Sequence, residues 1–246
     1  MSGPEGDQDG SAWSSTTLRS TLDDIDSASN YADWVVSFAD PVLGDDVLEV
    51  GAGIGTLTPR LLSSGGPRRT VHACEPDEVL NGVLAERYGD DPRVVIERRA
   101  VEDLPAEGTY DSAVFINVLE HIPDDLGALK ATRRVLAPGG HVYVYSPAFE
   151  TLMSRFDREI GHCRRYRKAQ LEALARSAGF EVVSSRYVNL PGWFAWLLVA
   201  RLLRKNPTSS ELAGFYDRWV VPAFRRIESR IRPPFGQSVL VVGRRP

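Results

Sequence analysis

The chain has 246 residues, a formal net charge of −4 and 43% hydrophobic residues, which is ordinary for a globular protein and allows one α/β domain with insertions. Its two cysteines, Cys74 and Cys163, exclude a disulfide framework, and no cluster of His, Cys and carboxylate residues has metal-ligand spacing, so no metal is expected. Residues 1–29 are predicted to be a mobile tail without a secretory signal, residues 30–246 one domain, and the cytoplasm the default location.

Charge is distributed unevenly along the chain. Residues 1–50 contain eleven acidic residues and a single basic one, Arg19, whereas residues 151–246 contain eighteen Lys and Arg and seven acidic residues. This split favours contact of the C-terminal part with an anionic partner or surface, although solvated helix faces explain it equally well.

The first predicted element is a helix that begins near Asn30 and ends at Pro41. Its apolar residues recur at helical spacing, and they are Tyr31, Trp34, Val35 and Phe38. This pattern predicts a helix that packs one face against a sheet.

The next stretch, Val47–Val50, is a short apolar run that predicts a buried strand. Gly51, Gly53 and Gly55 follow at every second position, and residues 57–62 return to helical spacing. Glycine lets the backbone approach a ligand closely, and the N-terminus of a helix supplies N–H groups without partners. Strand, glycine turn and helix therefore predict the first unit of a doubly wound nucleotide-binding sheet.

The glycine turn departs from the dinucleotide fingerprint, which needs a glycine where Thr56 stands. Glu49 lies two residues before the first glycine, and this Glu-x-Gly-x-Gly-x-Gly pattern resembles motif I of the class I S-adenosylmethionine-dependent methyltransferases. The resemblance implies S-adenosylmethionine as the cofactor and an α/β fold with a doubly wound, mostly parallel seven-stranded sheet whose last strand is antiparallel. It also implies a first group of cofactor-binding residues: Tyr31, Glu49, Gly51, Ala52, Gly53 and Gly55.

The second predicted strand, residues 70–74, ends on Glu75 and Pro76. Glu75 lies 24 residues after Gly51, a spacing at which an acid can accept hydrogen bonds from ribose hydroxyl groups. Glu75 and Pro76 are therefore predicted to bind the cofactor.

The third predicted strand, residues 94–97, leads into a loop that covers the adenine in the resembling family. Arg99 stands where that family often has Asp, which is a departure from the pattern. The backbone groups of Ala100 and Val101 are accordingly expected to bind the adenine edge.

The fourth predicted strand, residues 110–116, is followed by the run 117–125, which resembles the family motif at which cofactor meets acceptor. Asn117 and Val118 are therefore expected at the cofactor. His121 is the first candidate for a general base, because the ordinary pKa of histidine lies near neutrality. A histidine that caps or packs its own helix explains this residue as well.

The helix after this motif has Asp124 or Asp125 as its predicted N-cap. Residues 136–140 are predicted to form a turn into the fifth strand, residues 141–146, and they resemble the Leu-x-Pro-Gly-Gly turn of the family. We expect the two glycines of this turn to serve structure rather than chemistry.

Residues 147–168 are too many for a plain connection, and they follow a strand end, where α/β sheets bind substrates. His162 is the second candidate base, or it binds an acidic acceptor group together with neighbouring arginines, while exposed surface charge is the alternative. The residues predicted to contact the acceptor are His121, Arg155, His162, Arg165, Tyr166 and Trp193.

The remaining predicted elements are a helix, a strand, a helical insertion and the last strand, in order 168–178, 180–188, about 189–236 and 238–242. The insertion is interpreted as a cap beside the acceptor site or a dimer surface, with Thr208 and Glu211 as a capping box of its second helix. Its first piece, residues 190–205, is too short to span a bilayer and allows at most a weak membrane-surface contact.

The resemblance implies methyl transfer to an O or N atom of a small-molecule acceptor that is apolar or partly anionic, such as a natural-product or lipid-linked intermediate. No nucleic-acid partner is expected: the glycine motif also resembles that of ribosomal RNA adenine dimethylases, but residues 117–120 lack the Asn/Asp-Pro-Pro pattern of nucleobase amine methylation. Two alternatives remain. One is an NAD(P)-dependent oxidoreductase, which Thr56 disfavours, and the other is a non-catalytic module that binds S-adenosylmethionine.

Overall fold

The computed structural model describes residues 28–64, 66–106, 108–202 and 210–246. In this part of the chain seven strands form one sheet in the order β3-β2-β1-β4-β5-β7-β6. The strands are β1 Asp46–Val50, β2 Thr70–Cys74, β3 Val94–Glu97, β4 Tyr110–Ile116, β5 Leu136–Pro147, β6 Glu181–Val188 and β7 Ser238–Arg244. The pairs among β1 to β5 are parallel, and β7 runs antiparallel to both β5 and β6. The predicted fold class is confirmed.

Helices connect the strands and cover both faces of the sheet. They are α1 Ser29–Ser37, α2 Thr58–Ser63, α3 Glu78–Tyr88, α4 Asp125–Val135, α5 Arg155–Glu159, α6 Lys168–Ser177, α7 Leu190–Trp196, α8 Ser210–Phe215 and α9 Val221–Glu228. Pro59 lies in the first turn of α2, where its missing N–H leaves no bond unmade. Asp124 caps α4 by accepting a hydrogen bond from the Gly127 N–H at 2.9 Å.

The two faces of the sheet carry separate hydrophobic clusters. Phe115 packs with Leu129 of α4 in one cluster, and the adjacent Val114 packs with Leu61 of α2 in the other. Successive strand residues point to opposite faces, so a run of apolar residues such as β4 is buried on both. This explains why the buried strands could be predicted from continuous apolar runs.

The start of β5 differs from the prediction. Leu136 already pairs with Tyr110 of β4, so the strand begins five residues before the predicted His141. Gly139 has a φ of 81°, its N–H bonds to the Arg245 carbonyl oxygen, and the Arg245 N–H bonds to the Gly140 carbonyl oxygen. The expected turn is therefore an extension of the strand that pairs with the chain after β7.

Two buried carboxylates hold the helical insertion in place, Asp217 by bonds to α1 and Glu228 by bonds to the insertion's own first residues. Asp217 accepts hydrogen bonds from the N–H groups of Asn30 and Tyr31 at the start of α1, at 3.2 and 2.7 Å. Glu228 accepts from the N–H groups of Asn189 and Leu190, directly after β6, at 3.1 and 2.9 Å. The insertion therefore stays in contact with the edge of the sheet at which the parallel strands end.

Parts of the predictions fall outside the described residues: positions 1–27 of the tail, 203–205 of the apolar piece, and Thr208 of the capping box. Within the described ranges, no helix combines the length and the apolar character that a membrane crossing requires.

Candidate active site

The glycine turn after β1 lies against the loop after β4. Gly51 has a φ of 66°, and a Cβ atom at this position would lie 2.6 Å from a methyl carbon of Val118. The N–H groups of Gly51 and Ala52 both donate to the Cys74 carbonyl oxygen at the end of β2, at 2.9 and 3.0 Å. The turn thereby joins the ends of β1, β2 and β4. Gly55 also has a positive φ, of 82°, but a Cβ atom there would meet side chains of α3 instead, and its contact with the cofactor stays a prediction.

Glu75, the acid predicted for the ribose, is hydrogen bonded to this turn. Its Oε2 accepts from the Gly53 N–H at 2.9 Å, and its Oε1 accepts from the Asp77 N–H at 3.0 Å. Burial raises the pKa of Glu75, and the hydrogen bonds from the two N–H groups lower it. The structure thus brings four predicted cofactor residues together, namely Gly51, Gly53, Glu75 and Val118.

Glu49 is buried in β1, two residues before Gly51. Its Oε2 accepts a hydrogen bond from the Thr58 hydroxyl at 2.6 Å. Burial raises the pKa of Glu49 to about 7, the Thr58 hydrogen bond opposes this shift, and the charge of Glu75 adds to it. Near neutral pH both the protonated and the ionised form of the Glu49 carboxyl are therefore populated. A cation bound beside it would favour the ionised form.

The other predicted cofactor residues are more dispersed. The Tyr31 hydroxyl bonds to the Tyr145 hydroxyl at 2.9 Å, which ties α1 to the end of β5. The Val101 side chain belongs to the core, so only its backbone is open to a ligand, while Pro76 is exposed and Ala100 is half-buried. Asn117 has a φ of 54°, a left-handed conformation directly after β4. The binding roles of these residues stay predictions.

Strained backbone marks the same edge of the sheet. In the described part of the chain, the non-glycine residues with positive φ are Asn117, Phe149 and Asn189, and they follow β4, β5 and β6. Such conformations cost about 1–3 kcal/mol each and concentrate at functional sites. Because β4, β5 and β6 run parallel, their carboxyl ends share one edge, and strain here points to a site.

The two candidate bases lie in contact. The rings of His121 and His162 meet edge to face with centroids 4.7 Å apart. His162 Nδ1 lies 2.9 Å from Asp157 Oδ1, and His162 Nε2 lies 3.8 Å from Glu120 Oε1. Burial, together with the nearby His162, lowers the pKa of His121 to about 3, and the charge of Asp157 opposes this shift. Burial raises the pKa of Glu120, whereas His162 lowers it.

Sequence reasoning missed Glu120 and Asp157. Both side chains are fully buried, and one ligand atom each from Glu120, His121 and His162 lies within 4.8 Å of the others. His162 is 41 positions after His121, so no local spacing indicates this group. A Glu-His pair directly after a strand was the available signal, and its distant partner could be found only from the fold.

The other residues predicted for the acceptor are engaged in structural contacts. Arg165 donates to Asp157 Oδ1 from Nε and Nη2 at 3.0 and 2.6 Å, and its guanidinium lies over the Trp196 ring. The Tyr166 hydroxyl donates to Asp125 at 2.9 Å. Arg155 is 84% exposed and pairs with Glu159 within α5. Trp193 packs against the rings of Phe194 and Phe235. None of these contacts supports an acceptor role for the two arginines.

Comparisons with known proteins agree with this geometry. A family model described as a methyltransferase domain matches residues 25–185. Ubiquinone biosynthesis O-methyltransferase of Vibrio parahaemolyticus is 32% identical over 113 residues, which cover 45% of this chain and 47% of that protein. The protein of the same name from Ralstonia nicotianae is 26% identical over 188 residues, which cover 66% of this chain and 75% of that one. The chain spans about half the length of most of the first curated relatives that it matches.

Among solved structures, a chain from the complex of the Haloferax volcanii Trm112 methyltransferase activator has a TM-score of 0.63, 17% identity, and 94% coverage of both chains. At that identity the likeness establishes the fold alone. Strand order, antiparallel β7 and the turn bonded to an acid define the Rossmann-like fold of methyltransferases. Because the family model covers more than half of the chain, the protein belongs to the family of S-adenosylmethionine-dependent methyltransferase domains. The resemblance stated from motif I is confirmed.

Proposed function

We propose that this protein transfers the methyl group of S-adenosylmethionine to an oxygen or nitrogen atom of a small-molecule acceptor. One observation carries the proposal: the Gly53 N–H bonds to Glu75, and the same turn meets Val118, two residues before Glu120 and His121. The elements predicted for the cofactor and the buried polar group thus occupy one edge of the sheet. Family membership supports this assignment and disfavours the oxidoreductase alternative.

Methyl transfer from a sulfonium is an in-line displacement. The acceptor atom forms a bond to the methyl carbon, the carbon–sulfur bond breaks, and sulfur keeps the electron pair. The protein mainly has to align the acceptor atom, the methyl carbon and the sulfur, because the cofactor is already activated. A hydroxyl acceptor must also lose its proton, and the buried group that contains His121 and His162 is proposed to promote this loss. With its pKa lowered to about 3, His121 is too weak a base to hold the proton itself.

An oxygen acceptor with apolar character is favoured. The Vibrio and Ralstonia relatives are named as O-methyltransferases. Trp193 and Phe194 at the start of the insertion and Phe235 near its end form an aromatic cluster. An anionic acceptor loses its main support, since Arg165 is committed to Asp157 and Arg155 points to solvent.

Calorimetry with S-adenosylmethionine, S-adenosylhomocysteine and NADH tests the cofactor. We expect binding of the first two and none of NADH, with Glu75→Ala weakening both by at least tenfold and Glu86→Ala, on an exposed position of α3, matching the wild type. Tight NADH binding without a response to the other two would contradict the proposal.

Transfer of a labelled methyl group to a panel of hydroxylated aromatic compounds tests the reaction. Cofactor binding without any methylated product would favour the non-catalytic alternative.

We further propose that the insertion covers the acceptor and offers the surface for a second copy or a weak membrane contact. Its described residues include several large apolar side chains that are more than half exposed, namely Phe194, Leu198, Phe215 and Trp219. Analytical ultracentrifugation and flotation with anionic vesicles test this surface. A monomer that does not float with vesicles would contradict this part of the proposal.

A further inference from the structure

We propose that Glu120, His121 and His162 form a binding site for a first-row divalent transition-metal cation, to which the acceptor hydroxyl coordinates. The inference rests on the proposed methyl transfer and names how the acceptor is activated. Each of the three residues offers one ligand atom, and these atoms lie within 4.8 Å of one another.

The spacing of these atoms suits a small cation. Metal–ligand bonds of about 2.1 Å in tetrahedral geometry place ligand atoms about 3.4 Å apart. Glu120 Oε1 and His162 Nε2 are 3.8 Å apart, and the widest separation in the group is below 4.8 Å. Side-chain shifts of about an ångström would therefore close the group around a metal ion.

Glu120 provides an independent reason to expect a cation. Its side chain is fully buried, and neither carboxylate oxygen has a partner in good hydrogen-bond geometry among the described residues, while the nearby Ser146 hydroxyl lowers its pKa. A buried carboxylate is costly unless a proton, a hydrogen-bond donor or a cation compensates it. The imidazole of His162 is the nearest ion-pairing group, but its Nε2 remains beyond hydrogen-bond distance at 3.8 Å.

Asp157 orients His162 in the way that metal sites commonly orient their ligands. It holds Nδ1 of His162 at 2.9 Å, which directs Nε2 towards Glu120. Arg165 and the Ser154 N–H in turn hold the Asp157 carboxylate, at 2.6 and 2.7 Å. A carboxylate bound to the outer nitrogen of a metal-ligating histidine fixes its tautomer and raises its basicity.

Two imidazoles and one carboxylate match Zn²⁺, Mn²⁺, Co²⁺ or Fe²⁺ better than Mg²⁺ or Ca²⁺, which prefer oxygen ligands throughout. Three protein ligands leave an open coordination position for the acceptor oxygen. There the metal lowers the pKa of the hydroxyl, and the proton passes to water. The resulting oxygen anion attacks the methyl carbon, the carbon–sulfur bond breaks, and S-adenosylhomocysteine leaves with the electron pair.

The test uses Co²⁺ as the probe on the full chain after treatment with a chelator. We expect one Co²⁺ per chain with visible ligand-field absorption, and at least a tenfold loss of affinity in Glu120→Gln, His121→Gln and His162→Gln. Asp157→Asn should weaken binding tenfold or more without removing a ligand. Circular dichroism and thermal unfolding show whether each variant is folded.

Two control variants separate this site from other thiol or imidazole groups. Cys163→Ser, an exposed thiol close to the His121 carbonyl oxygen, and His141→Gln on β5 should both keep wild-type affinity for Co²⁺. Loss of binding in Cys163→Ser would overturn the ligand set, and so would full binding in Glu120→Gln. Unchanged methylation by the metal-free protein would overturn the metal inference alone, whereas Co²⁺ binding without any S-adenosylmethionine binding would overturn the proposed function.

Discussion

Two glycines on neighbouring elements meet different physical demands. Gly51 has a left-handed backbone and lies so close to Val118 that a Cβ atom would overlap the valine methyl groups. Gly82 lies inside α3, and a Cβ atom there would meet nothing within 4 Å. Glycine is thus required at the first position by both conformation and space, whereas at the second it only lowers the stability of a helix.

The pair allows a matched prediction. Gly51→Ala should lower the free energy of unfolding by about 1–3 kcal/mol and weaken S-adenosylmethionine binding at least tenfold, because the turn must move away from Val118. Gly82→Ala should stabilise the protein by up to about 1 kcal/mol and leave the cofactor affinity unchanged. Denaturant unfolding and calorimetry measure both. Wild-type affinity in Gly51→Ala would show that the turn does not contact the cofactor.

Single residues differ in how well the sequence predicts their surroundings. Glu49, Glu75 and the glycines could be placed together, since each lies at the end of a strand or directly after it, at a motif spacing. The contact of His162 with Asp157 and Glu120 could not be placed, because it depends on how the chain after β5 folds back over the β4 loop. Long-range contacts of this kind leave no periodic trace in the sequence.

At the scale of elements, the predicted boundaries of three strands agree with the structure. β2, β3 and β4 begin and end at the predicted residues because their apolar runs are bounded by polar ones. β5 begins earlier because its first residues are fixed by pairing with Arg245, a contact that the turn-like Pro-Gly-Gly pattern hides. The insertion helices were predicted only in outline, and their attachment to α1 was not predicted.

The attachment of the insertion to α1 predicts a stability effect at the level of elements. Asp217→Ala removes the acceptor of the Asn30 and Tyr31 N–H groups, which should lower the free energy of unfolding by about 1–2 kcal/mol. S-Adenosylmethionine affinity should fall as well, because Tyr31 on α1 is a predicted cofactor residue. Asp33→Ala, on the exposed face of the same helix and paired with Arg60, is the matched control and should change stability by less than about 1 kcal/mol. Equal effects of the two variants would argue against the attachment.

At the scale of the whole molecule, the edge at which the parallel strands end accumulates buried acids. Glu49, Glu75 and Glu120 are 4%, 6% and 0% exposed, and burial raises the pKa of each. Burying three carboxyl groups beside one crevice raises the free energy of their ionised forms, and in the ligand-free protein no bound cation offsets this cost. Cationic groups that enter this crevice, such as the ammonium and sulfonium groups of S-adenosylmethionine, are therefore expected to stabilise the whole domain.

This arrangement predicts how stability depends on pH. The pKa of Glu49 is about 7 in the folded protein and near its ordinary value of 4.5 when unfolded, so the folded state holds the proton more tightly. The stabilisation is present below pH 4.5 and is lost as the pH rises through 7. Relative to Glu49→Gln, the free energy of unfolding of the ligand-free wild type should fall by about 2–3 kcal/mol between pH 5 and pH 8.

Binding of S-adenosylmethionine should reverse this loss, because a bound cation favours the ionised carboxylate. Its affinity for the wild type should rise with pH up to about pH 7, and binding near pH 6.5 should release a proton, detected as a dependence of the calorimetric enthalpy on the buffer. In Glu49→Gln both the proton release and the pH dependence of stability should diminish. If the variant keeps the wild-type slope and proton release, another carboxyl group of the crevice carries the linkage, and Glu49 does not face the cation.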